Sequence, residues 1–393
     1  MEAYMLGWAS LLVRWLHLIT AIAWIGTSFY FVWLDNHLEP PSPPRKGVSG
    51  EIWSVHGGGF YNKHKYLVAP DQLPEKLHWF KWEAYWTWIS GFLLLVITYY
   101  ARAGSMLVDR SVADISAAAA IAISVGMIVL AQVVYEGLCR SRLCNNDGLL
   151  GLVGFVFLLV ATAALSHVFG ARGVYIQVGA MLGTIMVANV AMVIIPGQRK
   201  MIDAMLRGET PDPIHGIRGK QRSMHNNYMT LPVVFIMISG HYPMTYGHDQ
   251  AWLVLALIFI AGALIRHFFN LRHKGRTVIA YPLAGVVILA GVAFWIAPRP
   301  QSAAGDVVTF AQVNSVLQAR CTSCHSSTPT QPGFAQAPGG IVLQNPERIA
   351  QLVDKINQQV VVSRVMPPGN LTGLTDDERA LIGRWIAQGA VTH

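Results

Sequence analysis

The sequence predicts an all-α protein: a polytopic membrane bundle of eight transmembrane helices followed by a small helical domain outside the bilayer. Three observations predict it. Only 13% of the 393 residues are charged, against about 25% in an ordinary soluble domain, and the mean hydropathy is +0.40. Eight apolar runs each approach the roughly 20 residues needed to cross the hydrocarbon core. After Pro298-Arg299-Pro300 the composition turns polar. The chain therefore divides into a bundle over 1–298, a linker over 299–304 and a terminal domain over 305–393.

The runs cover 8–34, 80–101, 113–136, 148–169, 173–196, 226–243, 250–271 and 277–297. The sixth is the weakest, because Pro232 and Pro243 interrupt it. The first is too long for a signal peptide and continues into Asp35 and His37 without a small-residue cleavage site, so it reads as a retained span. Connections after odd-numbered runs hold 17 Lys and Arg, and those after even-numbered runs hold 4. The positive-inside rule puts the odd connections in the cytoplasm and both termini outside. This topology accounts for the net charge of +8, so membrane lipid is an expected partner and no nucleic acid is implied. The segment 197–222, with Pro211 and Pro213, reads as a solvated connector. Cys139 and Cys144 read as free thiols in a cytoplasmic loop.

In the terminal domain, Phe310, Val313, Val316 and Leu317 suggest a short helix. Thr375 and Glu378 form a capping-box pattern that opens a second helix with Leu381, Ile382, Trp385 and Ile386 on its apolar face. Between them lies Cys321-Thr-Ser-Cys324-His325. Two thiols two residues apart, with His next, suit covalent attachment of one haem c, and the imidazole of His325 would meet the iron. A zinc or redox CxxC is the bland alternative, but zinc wants a second ligand pair that this domain lacks. For the sixth ligand the domain offers one methionine, Met366, and one further histidine, His393. Met366-Pro367-Pro368 sits in a loop before the last helix, and His/Met ligation suits an electron acceptor. The sequence of short helix, motif, Met loop and final helix resembles a small class I cytochrome c.

Of fourteen histidines, ten fall into two layers once the topology is drawn. His17, His167, His241 and His248 lie towards the outside. His56, His64, His78, His225, His267 and His273 lie towards the cytoplasm. Ionisable residues within a membrane are costly and mark functional sites. Arg14, His17, Ala21, Trp24 and Ser28 share one face of the first helix. A haem b held by His17 with His167 or His241, its propionate near Arg14, fits that stripe, and so does a seam of small residues between helices. A second haem b would lie in the inner layer near His78, His225 or His267, giving one or two in the membrane.

The inner side concentrates polar groups. His56-Gly57-Gly58 is a flexible turn that permits close backbone approach. Glu83 sits just inside the second run. Ser223 to Thr230 opens the sixth run with six polar-tipped residues. Together these suggest a pocket for a planar molecule rich in donors and acceptors, with His56, Gly57, Gly58, Asn226, Asn227 and Tyr228 binding. His225 and Glu83 are the candidate bases, histidine because it titrates near neutral pH.

His56-Gly-Gly-Gly-Phe-Tyr, Leu77-His-Trp-Phe-Lys-Trp-Glu-Ala-Tyr85, His225-Asn-Asn-Tyr-Met-Thr-Leu-Pro232, Ser239-Gly-His-Tyr-Pro243 and Ile265-Arg-His-Phe-Phe-Asn270 resemble the bacterial membrane-integral urate oxidases, or urate hydroxylases. The resemblance runs through essentially the whole chain in order. It implies an eight-span domain joined to a cytochrome c in the bacterial inner membrane. It also implies conversion of urate to 5-hydroxyisourate, a step of purine degradation, with electrons leaving through cytochrome c to a soluble cytochrome c or a terminal cytochrome c oxidase. Leu16-His17-Leu18 and Ala23-Trp24-Ile25-Gly26 also resemble the first helix of small membrane haem-b proteins. A quinol–cytochrome c reductase and a non-catalytic electron carrier are the competing readings, and a homo-oligomer is one arrangement open to such a bundle.

Overall fold

The computed structural model describes residues 2–298, 303–332, 334 and 336–392. The first four residues of the expected linker, and His393, lie outside the described residues.

The chain opens with α1 (Glu2–Asn36) and an antiparallel hairpin of β1 (Val48–His56) and β2 (Gly59–Tyr66). α2 (Trp82–Leu95) continues through a π-helical turn, Val96–Tyr100, and is followed by the short α3 (Ala103–Met106). α4 (Ala117–Arg140) and α5 (Asp147–Ser166) begin at side-chain caps. Ser116 accepts the Ala119 N–H, and Asn146 accepts the Leu149 N–H, which satisfies donors that a helix start leaves open. α6 (Ala171–Ala188) runs through a π-helical stretch, Asn189–Ile194, into α7 (Ile195–Leu206). Then come α8 (Ile214–Ser239), α9 (Pro243–Tyr246), α10 (Ala251–Arg272) and α11 (Ala280–Trp295).

All eight predicted runs are largely helical. Among the described residues, five helices are long and apolar enough to cross a membrane: Tyr4–Asn36, Ala117–Arg140, Asp147–Ser166, Ala171–Leu206 and Ala251–Arg272. The other three differ for visible reasons. α2 has 14 residues before its π turn, α8 carries polar residues over its first half, and α11 has 16 residues.

Two expectations are corrected. The protein is not all-α: 48–66 is a hairpin. Its two turn residues, Gly57 and Gly58, have φ of 56° and 81°, the left-handed pair that a two-residue hairpin turn demands and glycine supplies without strain. The segment 197–222 is not a plain connector either. α7 extends to Leu206, and Pro213 stands at the start of α8, which then continues through Pro232.

α6 is buried on every side and forms the centre of the bundle, as a helix apolar all round should. Leu107, Leu165, Phe169, Val174 and Met181 pack there as one cluster. α1 is the opposite case. Trp8, Leu11, Trp15, Ile19 and Ile22 all face outward.

The tail contains α12 (Phe310–Arg320), α13 (Pro346–Gln351), α14 (Val353–Ile356) and α15 (Asp376–Ala387). α12 and α15 both start in capping boxes, Thr309 with Gln312 and Thr375 with Glu378. Their inner faces meet around Val313, Leu317, Ile349, Ile382 and Trp385. The tail docks on the end of the bundle that holds the connections after even-numbered runs. There Val365 joins the cluster of Tyr175, Tyr246 and Leu255, and the Arg110 N–H donates to the Gly369 carbonyl at 3.4 Å. Gly369, at φ 56°, lies against the carbonyl of Val108, and Gly247 lies against Ser363. At the opposite end Asp35 binds Lys65 of the hairpin at 2.6 Å and Lys220 of α8 at 3.7 Å.

Candidate functional site

Three polar or ligating arrangements stand out, one in the tail and two among the helices. In the tail, α12 is capped at its C-terminus by Cys321, and the next turn brings Cys324 and His325 to a cavity that Met366 also lines. Ile341, Leu343, Leu352, Ile356, Val360 and Leu374 wall it. His325 Nδ1 lies 3.0 Å from the Ile341 carbonyl. An N–H donated there fixes the ring and leaves Nε2 free for a metal. Arg379 anchors the methionine loop by donating from one nitrogen to the carbonyls of Val360 and Met366, each at 2.7 Å. Burial pushes the Cys321 thiol up to about 12 and raises that of Cys324 too. A reactive redox CxxC needs the reverse, a thiolate at neutral pH. Two thiols, an oriented imidazole, a thioether and apolar walls fit a haem c. No cluster of three or more His, Cys, Asp or Glu able to hold a bare metal ion occurs among the described residues.

The first helical cluster joins α4, the α6 π turn and α8. Tyr135 Oη lies 2.8 Å from His225 Nδ1 and accepts from Asn189 Nδ2 at 2.9 Å. Asn189 Nδ2 also donates to Asn226 Oδ1 at 2.8 Å, and Asn226 Nδ2 to the Met186 carbonyl at 2.9 Å. Arg222 donates to Asn189 at 3.2 Å and to the Glu136 carboxylate at 2.9 Å, with its guanidinium 5.0 Å from the Tyr135 ring. The other ring nitrogen of His225 lies 3.8 Å from Asp147.

The second cluster joins α8 and α10 beneath α1. Asn227 Oδ1 accepts from Arg266 Nε at 2.7 Å and from Asn270 Nδ2 at 3.0 Å. The Arg266 guanidinium stacks on the Phe29 ring at 3.8 Å. Arg266 also lines a cavity of about 470 Å³ with Phe29, Tyr30, Trp33, Phe269 and His273. Beside it, the Tyr228 hydroxyl meets His267 Nδ1 at 2.6 Å, and Tyr281 packs edge-on against that imidazole.

The expected pocket of His225, Asn226, Asn227 and Tyr228 is therefore divided between two clusters. Successive helical residues point about 100° apart, at 3.6 residues per turn, so this run cannot face one cavity. The other predicted residues spread further. His56, Gly57 and Gly58 form the exposed hairpin tip, and a Cβ added to either glycine would meet nothing within 4 Å. Glu83 is half-buried near the start of α2. His78 is exposed against Phe80.

His17 packs on α2. Its Nδ1 lies 2.9 Å from the Thr87 carbonyl and 3.1 Å from Ser90 Oγ, and its ring lies over Gly91. The α1 stripe thus forms a helix–helix seam there. Arg14, His167 and His241 are exposed, and among the described residues no ring contact or hydrogen bond joins His17 to His167 or His241.

Sequence reasoning missed Tyr135, Glu136, Asn189, Arg222, Arg266, Asn270 and Arg379. Arg266 and Asn270 had a legible signal: two polar residues four apart, and so on one face, inside an apolar run.

The family model described as urate oxidase N-terminal matches residues 3–297, three quarters of the chain, and the protein belongs to that family. No curated protein matches the chain, and no solved structure matches it.

Proposed function

We propose that this urate oxidase family member is a membrane-bound, cytochrome c-linked enzyme. It hydroxylates urate to 5-hydroxyisourate and passes the electrons to a haem c in its own tail. The observation that carries this reading is the Cys321–Cys324–His325–Met366 cavity held against the end of a helical bundle of that family. The reaction balances as urate plus water giving 5-hydroxyisourate, two protons and two electrons. Cys321 and Cys324 would hold the haem by thioethers, and His325 and Met366 would ligate its iron. The haem supplies one-electron acceptance at a potential raised by His/Met ligation. A soluble cytochrome c or a terminal oxidase is the external acceptor.

The chain's own residues handle the protons. His225 is held between Tyr135 and Asp147, an arrangement that takes a proton on one ring nitrogen and releases it from the other. Glu83 is the second candidate base. Arg379 keeps the Met366 loop in place through two carbonyls.

The test is anaerobic addition of urate to oxidised full-length protein in detergent. A c-type spectrum should develop, reaching completion with half an equivalent of urate per haem if haem c is the sole acceptor. No urate-dependent reduction in protein that dithionite reduces fully would overturn the reading. A pyridine haemochrome on the same sample counts any haem b.

A further inference from the structure

Arg266 is buried within a bundle otherwise rich in apolar side chains, and no carboxylate pairs with it among the described residues. Asn227 and Asn270 are buried beside it, and the three residues are 5%, 0% and 4% exposed respectively. Each keeps one polar atom without a hydrogen-bond partner: Arg266 Nη2, Asn227 Nδ2 and Asn270 Oδ1. A buried, unpaired charge and three unmade hydrogen bonds in one cluster are each costly, and native interiors leave few such groups. Arg266 lines an open aromatic cleft of about 470 Å³, and Asn227, which accepts from both Arg266 and Asn270, lies directly behind it, which gives the three a common purpose.

We infer that Arg266, Asn227 and Asn270, with Phe29 and Trp33, form the binding site for a planar anionic heterocycle whose edge alternates carbonyl and N–H groups. The two free donors meet carbonyl or deprotonated ring-nitrogen acceptors. The free acceptor, Asn270 Oδ1, needs a ring N–H. A halide or other simple anion satisfies the cation but has no hydrogen for Asn270. Phe29 and Trp33 each have one face covered, by Arg266 and by His37 respectively, and the remaining faces and edges suit a flat ring. Cyclic imides and purine diones have this edge, and naming urate as the physiological ligand rests on the function proposed above. The site lies on a different face of α8 from the His225–Tyr135 cluster, so His225 would take a proton from a ligand bound here through a relay and not by direct contact.

The experiment measures binding of 8-azaxanthine, a purine-shaped anion, to full-length protein by calorimetry in detergent, with the thermal midpoint as the check on folding. Arg266→Lys keeps the charge and loses the planar fork. Asn270→Leu removes the acceptor. Each should weaken binding about tenfold or more, the scale of a hydrogen bond to a charged group. Phe29→Leu should weaken it less.

Wild-type affinity in both Arg266→Lys and Asn270→Leu overturns the inference, as does the absence of binding to the wild type. If Arg266→Lys does not fold, Asn270→Leu and Phe29→Leu decide the matter in the same way. The outcome separates from that of the functional reading. Arg266-dependent binding in protein that urate fails to reduce keeps the site and sinks the urate reading. Urate reduction with unchanged KM in Arg266→Lys does the opposite.

Discussion

Arg222 and Arg266 are both 5% exposed, and both reach an asparagine of α8 or the neighbouring π turn. Their surroundings differ in one respect. Arg222 has the Glu136 carboxylate at 2.9 Å, and Asn189 and the Tyr135 ring complete its shell. Arg266 has Asn227, the Phe29 ring and an unbonded Nη2. A compensated charge belongs to the scaffold that holds α4, α6 and α8 together. An uncompensated one is a group kept at a stability cost for a ligand.

Substitution tests the contrast, because the two sites should respond with opposite sign. The largest effect is expected at the paired site. Glu136→Gln leaves Arg222 buried without its counter-charge and should destabilise the bundle by about 3 kcal/mol, the low end for breaking a buried pair, read as a fall in the thermal midpoint in detergent. A midpoint equal to wild type would mean that Arg222 is as unsupported as Arg266.

At the unpaired site, Arg266→Met removes the charge and keeps the length. It should leave stability unchanged or raise it by about 1 kcal/mol, while 8-azaxanthine binding is lost. A large fall in midpoint would make Arg266 a structural group and erase the contrast.

The tail supplies the smallest effect, at a pair near its surface. Burial raises the Glu378 carboxyl, but the Thr375 backbone N–H and Arg320 outweigh it and hold the pKa below the usual value. A carboxylate depressed in the folded state stabilises above its unfolded pKa of about 4.3, and that contribution is lost as pH falls through the folded value. Glu378→Gln should therefore lower the tail's midpoint at pH 7 by a degree or two more than at pH 3, on the scale of an exposed pair worth about 1 kcal/mol or less. An equal shift at both pH values would leave only the cap hydrogen bond at work.

How much could be read from the sequence follows how local each feature is. The tail's motif spans five residues, and its last helix is announced by Thr375 and Glu378, three apart, so both were legible. The helical runs were legible from apolar length, although a π turn in α2 and the polar first half of α8 do not register in such a count. The Gly57-Gly58 pair between runs of β-branched and aromatic residues is a hairpin signal that a loop reading passed over. Pro213 reads as part of a connector, whereas it stands at the start of α8, where its missing N–H costs nothing. The polar clusters were legible as composition and not as geometry. Asn227 meets Arg266 across 39 residues, and the rotation of α8 that sends Asn226 one way and Asn227 the other is set by how α6 and α10 pack against it.

Gly247 and Gly369 bear on how the tail can behave. At each, a side chain would collide with backbone across the junction, Ser363 in one case and Val108 in the other. The loop bearing Met366 is thus clasped between the two parts of the molecule. A domain seated this way is a fixed terminal and not a swinging arm on a tether. On the function proposed above, an external electron acceptor would have to travel to it, so throughput would depend on the concentration of that acceptor and hardly at all on the length of the linker.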